Sequence, residues 1–145
     1  MALYFGKRSE ARLETVSFEI QLLMREALAM GLIDFAITEG FRPRSKQDEY
    51  YYGQPQRSKV AWPNSKHNVT PLADATDAVP WVRGKLSYNY NHCCFLAGII
   101  MALSKKLSVP IRWGGNWDMD LEPITDQDFQ DLVHYERVRS PGDAA

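Results

Sequence analysis

Helix-like and strand-like segments follow one another irregularly along this chain. Apolar residues recur at helical spacing over residues 9–30 and 89–107, and a shorter helix is predicted over 45–52, with Ser45 as its cap and Gly53 at its end. Short β-prone segments cover residues 35–38, 74–79, 110–113 and 133–138, with Pro80 expected to end the second of them. Because no repeating strand–helix–strand unit appears, we predict an α+β fold: a central antiparallel sheet flanked by helices.

The chain is the size of one domain. Its 145 residues suffice to enclose a hydrophobic core, so we expect a single domain over 1–145 with a flexible tail from about residue 139. Residues 53–71 are polar and contain three prolines, which predicts a long irregular loop. Long loops inside compact domains are often functional.

Charge and hydropathy exclude several classes of protein. A net charge of −1 leaves no excess of cations to neutralise a nucleic acid. The longest apolar run, residues 93–103, is too short to cross a bilayer, and the N-terminus has no signal-peptide pattern. The adjacent Cys93 and Cys94 imply no disulfide framework. We therefore expect synthesis in the cytoplasm, with no nucleic-acid partner and no membrane insertion.

Two histidines and one carboxylate are candidates for a metal site. His67 lies in the polar loop, and His134 lies in a strand-like segment where a buried imidazole needs a partner. Asp74 and Asp77 have opposite strand parity, so only one of them can face a given site. The small residues at 73 and 75 share the parity of Asp77, and we favour Asp77 as the ligand while Asp74 stays an alternative.

Two further acids lie next to His134 in sequence. Asp131 has the wrong strand parity to share its face, so we expect Asp131 to reach the site from the preceding loop, as a general base or simply as an exposed acid. Glu136 shares the parity of His134 and could orient that ligand. The segment at residues 92–94 is interpreted as core packing, and residues 118–128 lack the EF-hand pattern, although a looser cation site remains an alternative there.

Several short motifs occur in a characteristic order. They are Gly40-Phe41-Arg42 with Gln47, Ser65-x-His67, Ala75-x-Asp77-x-x-Pro80, Trp113-Gly114-Gly115-x-Trp117-Asp118 and Asp131-x-x-His134-x-Glu136. Together they resemble a zinc peptidase family that includes D-alanyl-D-alanine carboxypeptidases, dipeptidases and the phage endolysins that act as L-alanyl-D-glutamate peptidases. The resemblance extends from about Phe5 to Val138 and is greatest to the endolysin branch.

The resemblance implies a role for each matching residue. Zinc would be held between the sheet and the loops by His67, Asp77 and His134. Asp131 would act as the catalytic base, Arg42 would stabilise the developing negative charge on the scissile carbonyl, and Glu136 would support a ligand. Ser65, Trp117 and Gln47 would contribute to substrate binding.

Three departures from the common pattern bear on these assignments. The interval between His67 and Asp77 is three residues longer than usual, and Asp74 falls at the usual spacing. The base is Asp131 where many carboxypeptidase relatives have Glu, which favours the endolysin branch. Val133 stands where proline is frequent, and we expect that change to be mild.

The predicted activity is therefore hydrolysis of the peptidoglycan stem peptide at the L-alanyl-D-glutamate bond by a monomeric enzyme that reaches the cell wall after release from the host cytoplasm. The basic loop from Arg42 to Lys66 is expected to recognise stem-peptide carboxylates. The alternatives are a D-alanyl-D-alanine carboxypeptidase and a non-catalytic zinc-containing wall-binding module. A non-haem Fe(II) oxygenase shares the ligand types but usually places His and Asp two residues apart.

Overall fold

A computed structural model of the chain describes residues 3–138. Within that range the helices and strands occur in the order α1 (Lys7–Leu13), α2 (Phe18–Ala29), β1 (Phe35–Glu39), α3 (Arg44–Tyr52), a 3₁₀ turn (Lys66–Asn68), β2 (Ala75–Val82), β3 (Lys85–Leu86), α4 (Tyr90–Leu107), β4 (Ile111–Gly114) and β5 (Asp131–Arg137). The predicted flexible tail from about residue 139 lies outside the described residues.

The strands form one antiparallel sheet in the order β1-β2-β5-β4, and β3 pairs with the end of β2. A two-residue turn joins β2 to β3 at Arg83 and Gly84, both with positive φ, as tight hairpins require. The α+β class and the antiparallel sheet are thus confirmed. β2 and β5 are central strands, so residues on them are held by hydrogen bonds on both sides.

The core lies between one face of the sheet and the helices α2 and α4. Strand residues with the parity of Ile37 and Tyr135 point into it, and both side chains are fully buried. From the helices, Leu23 and Ile100 are among the side chains that pack against them. The opposite sheet face carries Asp77 and His134, and the polar loop before β2 covers it.

The predicted helix over residues 9–30 is in fact two helices. The chain breaks between Leu13 and Phe18, where Val16 forms an isolated bridge with Ala73. The amide of Ala73 donates to the carbonyl of Thr15, and the amide of Ser17 donates to the carbonyl of Ala73. These long-range hydrogen bonds replace helical ones, which local periodicity does not reveal.

Three predicted boundaries also differ. β2 continues through Pro80 to Val82, because the amide of Trp81 donates to the carbonyl of Asp34 and keeps the strands paired beyond the proline. α3 begins at Arg44 after Pro43, so Ser45 is not its cap. β5 begins at Asp131 rather than at Val133, so Asp131 belongs to the strand and not to a preceding loop.

Candidate active site

His67 lies on the 3₁₀ turn at the end of the polar loop. The hydroxyl of Ser65 accepts from the amide of His67, and the side chain of Asn68 accepts from the amide of Ser65. Both backbone amides at the start of the turn therefore have a side-chain partner. The Nδ1–H of His67 donates to the carbonyl of Gly40 at 2.8 Å. Since a carbonyl can only accept, this bond fixes the tautomer and leaves Nε2 of His67 with a free lone pair.

Asp77 and His134 face each other across the two central strands. They are direct cross-strand partners in the antiparallel pairing of β2 with β5, so their side chains emerge on the same sheet face. Nε2 of His134 donates to a carboxylate oxygen of Glu136 at 2.8 Å, which turns Nδ1 towards Asp77. Two residues on, Glu136 shares the strand parity of His134, as the sequence predicts.

Three donor atoms converge at one point. Nε2 of His67 is 3.2 Å from Nδ1 of His134, and Oδ1 of Asp77 is 3.4 Å and 3.5 Å from those two nitrogens. In a tetrahedral zinc site with ligands at about 2.0–2.1 Å, neighbouring donor atoms are about 3.3–3.4 Å apart. Oδ1 of Asp77 is buried and has no hydrogen-bond partner among the described residues. His67, Asp77 and His134 therefore form a group that could hold a metal ion.

The protonation equilibria of this group reflect its buried charges. Burial disfavours the charged form of His134, but its interactions with the carboxylates of Asp77 and Glu136 outweigh that effect and raise its pKa to about 10. Burial likewise disfavours the charged form of Glu136, yet His134 and Arg112 lower its pKa to about 2. The pKa of Asp77 is lowered by the two histidines against the effect of burial. The site thus combines buried carboxylates with a position that favours positive charge.

Asp131 reaches the same site because of an irregularity in strand pairing. Along β4, Trp113 pairs with Tyr135, whereas its neighbour Gly114 pairs with Asp131, so β5 bulges by several residues between these pairs. The bulge removes the parity argument against Asp131 and His134 sharing a site. Burial and the charge of Asp77 raise the pKa of Asp131, while His134, His67 and Arg42 oppose that rise.

Arg42 lies beside the group with its guanidinium held on several sides. Nε and Nη2 donate to one oxygen of Glu39, and Nη1 donates to the side-chain oxygen of Gln47 at 2.9 Å. The guanidinium also lies 4.6 Å from the ring centre of Tyr50. Three of the five guanidinium N–H groups thus donate hydrogen bonds to residues that the structure describes. These bonds fix the plane of the guanidinium and leave two N–H groups for other acceptors.

A cleft of about 340 Å³ opens next to the metal group, within the range usual for ligand sites. Seven predicted site residues line it: Arg42, Ser65, His67, Trp117, Asp131, His134 and Glu136. The indole of Trp117 stacks on Phe129 with ring centres 6.1 Å apart and donates to the carbonyl of Phe129. The sequence-predicted residues are therefore largely gathered around one cavity.

Two predicted or alternative residues lie elsewhere. Gln47 is fully buried, and its amide bonds to Arg42, Asn68, Ser58 and Val60 instead of facing the cleft. Asp74, the alternative ligand, is also buried but lies 3.5 Å from Nε of Arg137 in an ion pair. The structure thus brings Asp77, and not Asp74, to the histidines.

The acidic loop after β4 contains a second cluster of carboxylates. Asp118, Asp120 and Asp126 have oxygens within 4.8 Å of one another, and all three side chains are exposed. Exposed acids cluster in this way without an ion, and we assign no site to them. In the segment at residues 92–94, Cys93 on α4 is buried and forms no disulfide, in agreement with its interpretation as core packing.

Glu39 and Arg112 belong to the site although sequence reasoning did not identify them. Glu39 anchors Arg42, and Nη2 of Arg112 donates to Glu136 at 2.7 Å. Glu39 ends β1 beyond a register shift, and Arg112 is the direct strand partner of Glu136. The contact between Arg112 and Glu136 depends on strand pairing, which the sequence does not show, whereas Glu39 and Arg42 are only three residues apart in sequence.

Comparison with known proteins gives a consistent result. A family model described as phage L-alanyl-D-glutamate peptidase matches residues 1–138. The L-alanyl-D-glutamate peptidase of Escherichia phage T5 is 29% identical over 119 residues, which cover 81% of this chain and 84% of that protein. The crystal structure of the L-Ala D-Glu endopeptidase ChiX of Serratia marcescens superposes with a TM-score of 0.74 and 23% identity, over 94% of this chain and 91% of ChiX, and so has the same fold.

Proposed function

The chain belongs to the phage L-alanyl-D-glutamate peptidase family, and from this membership and the site geometry we propose that it is a zinc-dependent endolysin that hydrolyses the L-alanyl-D-glutamate bond of the peptidoglycan stem peptide. The observation that carries the proposal is the convergence of His67, Asp77 and His134 next to a cleft that Asp131 and Arg42 line. Two imidazoles and a carboxylate are a usual ligand set for catalytic zinc.

The proposed chemistry divides among the residues of the cleft. A zinc ion bound by the three ligands would acidify a water molecule and polarise the scissile carbonyl. Asp131 would accept a proton from the attacking water as a bond forms between the water oxygen and the carbonyl carbon. It then returns the proton to the leaving amine of the D-glutamyl residue as the C–N bond breaks. The raised pKa of Asp131 suits a group that must both take up and release a proton.

Arg42 is proposed to stabilise the negative charge that develops on the carbonyl oxygen. Its guanidinium is buried, fixed by Glu39 and Gln47, and lines the cleft. A donor that is already oriented needs no reorganisation when the charge appears, and such donors contribute strongly to catalysis in a site that excludes water. We propose Ser65 and Trp117 as parts of the substrate-binding wall.

Action on the cell wall follows from the proposed substrate. None of the helices in residues 3–138 is long and apolar enough to cross a membrane. We propose that the enzyme acts as a monomer on the wall after its release from the host cytoplasm.

The test is mass spectrometry of purified peptidoglycan incubated with the protein, with added zinc or with a chelator. We expect release of stem peptides that begin with D-glutamate, and loss of that release with chelator. Release of only a terminal D-alanine would instead indicate a carboxypeptidase. Absence of cleavage in both conditions would indicate a binding module.

A further inference from the structure

Five cationic side chains line the cleft, and they differ in what neutralises them. Arg42 pairs with Glu39, and Arg112 pairs with Glu136. The ammonium of Lys66 donates to the carbonyl of Arg137. Arg57 and Lys59 have no carboxylate within ion-pair distance among residues 3–138. Lys66 likewise has no carboxylate partner in that range, so three of the five charges are not neutralised there, and of these three only Lys66 has a side-chain hydrogen bond to the described part of the protein.

The charged groups of Arg57 and Lys59 are held in place by aromatic rings. The guanidinium of Arg57 lies 5.6 Å from the ring centre of Tyr50, and the ammonium of Lys59 lies 4.6 Å from that of Phe129. Such cation–π contacts restrain long side chains without cancelling their charge. Since Phe129 stacks on Trp117, the contact of Lys59 also joins the two loops that face each other across the cleft.

The backbone that carries these residues is anchored to the catalytic machinery. The side-chain nitrogen of Gln47 donates to the hydroxyl of Ser58 at 2.9 Å and to the carbonyl of Val60 at 2.7 Å. The oxygen of the same side chain accepts from Arg42. One fully buried amide thus fixes the position of Lys59, which lies between its two loop partners, relative to Arg42.

The proposed substrate carries a matching group. A glutamyl residue within a peptide is joined through its amine and one carboxyl group, so its other carboxylate remains free next to the bond that is cut. We propose that Arg57 and Lys59 form a carboxylate-recognition wall that selects substrates with a free carboxylate on the residue following the scissile bond. This inference rests on the proposed function and deepens it. Restrained cations bind a carboxylate with less loss of side-chain entropy than mobile ones.

Two synthetic stem peptides that differ in one group test the wall. One has the free glutamyl carboxylate, and the other has that carboxylate amidated. For the zinc-loaded full chain we expect kcat/KM to be roughly tenfold higher on the free acid, as for loss of one charge-assisted contact. Arg57→Gln and Lys59→Gln should each reduce this preference, and the double variant should abolish it.

Matched controls separate local recognition from overall charge. Arg8→Gln and Lys106→Gln remove the same charges from exposed positions on α1 and α4, outside the cleft, and should leave the preference intact. A wild-type melting temperature shows that each cleft variant is folded. Equal wild-type rates on both peptides, or full preference in the double variant, would overturn the wall alone. Cleavage of neither peptide would overturn the proposed function and the wall with it.

Discussion

At the scale of single residues, Asp131 is the group on which we propose that turnover depends most directly. It lines the cleft with the metal group but does not belong to the three-ligand set. We expect Asp131→Asn to lower kcat by about 10²–10⁴-fold, because the amide cannot accept the proton of water. Assay on stem peptide should be combined with zinc analysis, which should give wild-type metal content. Wild-type activity in this variant would favour a zinc-containing binding module.

Glu136 should act on the metal through His134 instead of on the substrate. Glu136→Gln weakens the acceptor for Nε2 of His134 and removes the carboxylate partner of Arg112. We expect zinc affinity to fall about 10–100-fold, as is usual when the carboxylate behind a metal-bound histidine is lost. Competition with a chromophoric chelator measures the affinity. Glu26→Gln, an exposed change on α2, is the control and should bind zinc normally.

His134 predicts a proton linkage for metal binding. In the metal-free protein the pKa of His134 is raised to about 10, so at neutral pH its imidazole is a cation. The proton on Nδ1 must leave before that nitrogen can bind a metal. We expect about one proton to be released per zinc bound, and apparent zinc affinity to increase with pH below that pKa. Calorimetry in buffers of different ionisation enthalpy measures the release. An enthalpy independent of the buffer would contradict the linkage.

At the scale of elements, the bulge in β5 is what delivers Asp131. A Cβ on Gly114 would lie 2.0 Å from the carbonyl oxygen of Asp131, so only glycine permits this approach of the strands. We expect Gly114→Ala to lower both the melting temperature and kcat. Gly98→Ala is the matched control: its Cβ would meet nothing within 4 Å, and alanine should stabilise α4. Normal activity in Gly114→Ala would mean that the bulge does not position the base.

Sequence reasoning succeeded here where a pattern is local and failed where a contact is distant. The helical spacing of α4 and the strand parity of Asp77 are local, and both predictions agree with the structure. The break before α2 depends on hydrogen bonds to Ala73, which is far away in sequence, and no propensity scale contains them. The burial of Gln47 behind Arg42 likewise required the fold, since a polar residue in a helix gives no indication of which side it faces.

At the scale of the whole molecule, the carboxylates at the candidate metal site make the stability of the metal-free protein sensitive to acid. Folding lowers the pKa of Glu136 to about 2, below its unfolded value of about 4.3, and lowers that of Asp77 as well. The resulting stabilisation is present above the unfolded pKa and is lost as pH falls through the folded value. Folding raises the pKa of His134, so the stabilisation that His134 contributes is complete below its unfolded pKa. It therefore does not change over the acidic range in which the two carboxylates titrate.

We therefore expect the melting temperature of the metal-free protein to fall between about pH 4.5 and 2. Thermal unfolding followed by circular dichroism in chelator measures the dependence. Glu136→Gln should flatten it, since an amide does not titrate. A melting temperature constant across this interval would contradict the linkage.

The ligands come from segments far apart in the chain: His67 on a turn, Asp77 on β2, and His134 with Asp131 on β5. β5 is the last of the five strands in sequence, yet it inserts between β2 and β4 at the middle of the sheet. Any fragment ending before residue 131 lacks a proposed ligand, the proposed base and a central strand at once. We therefore expect activity to be coupled to the completion of folding, because a chain whose last strand has not inserted lacks the proposed ligand His134 and the proposed base Asp131.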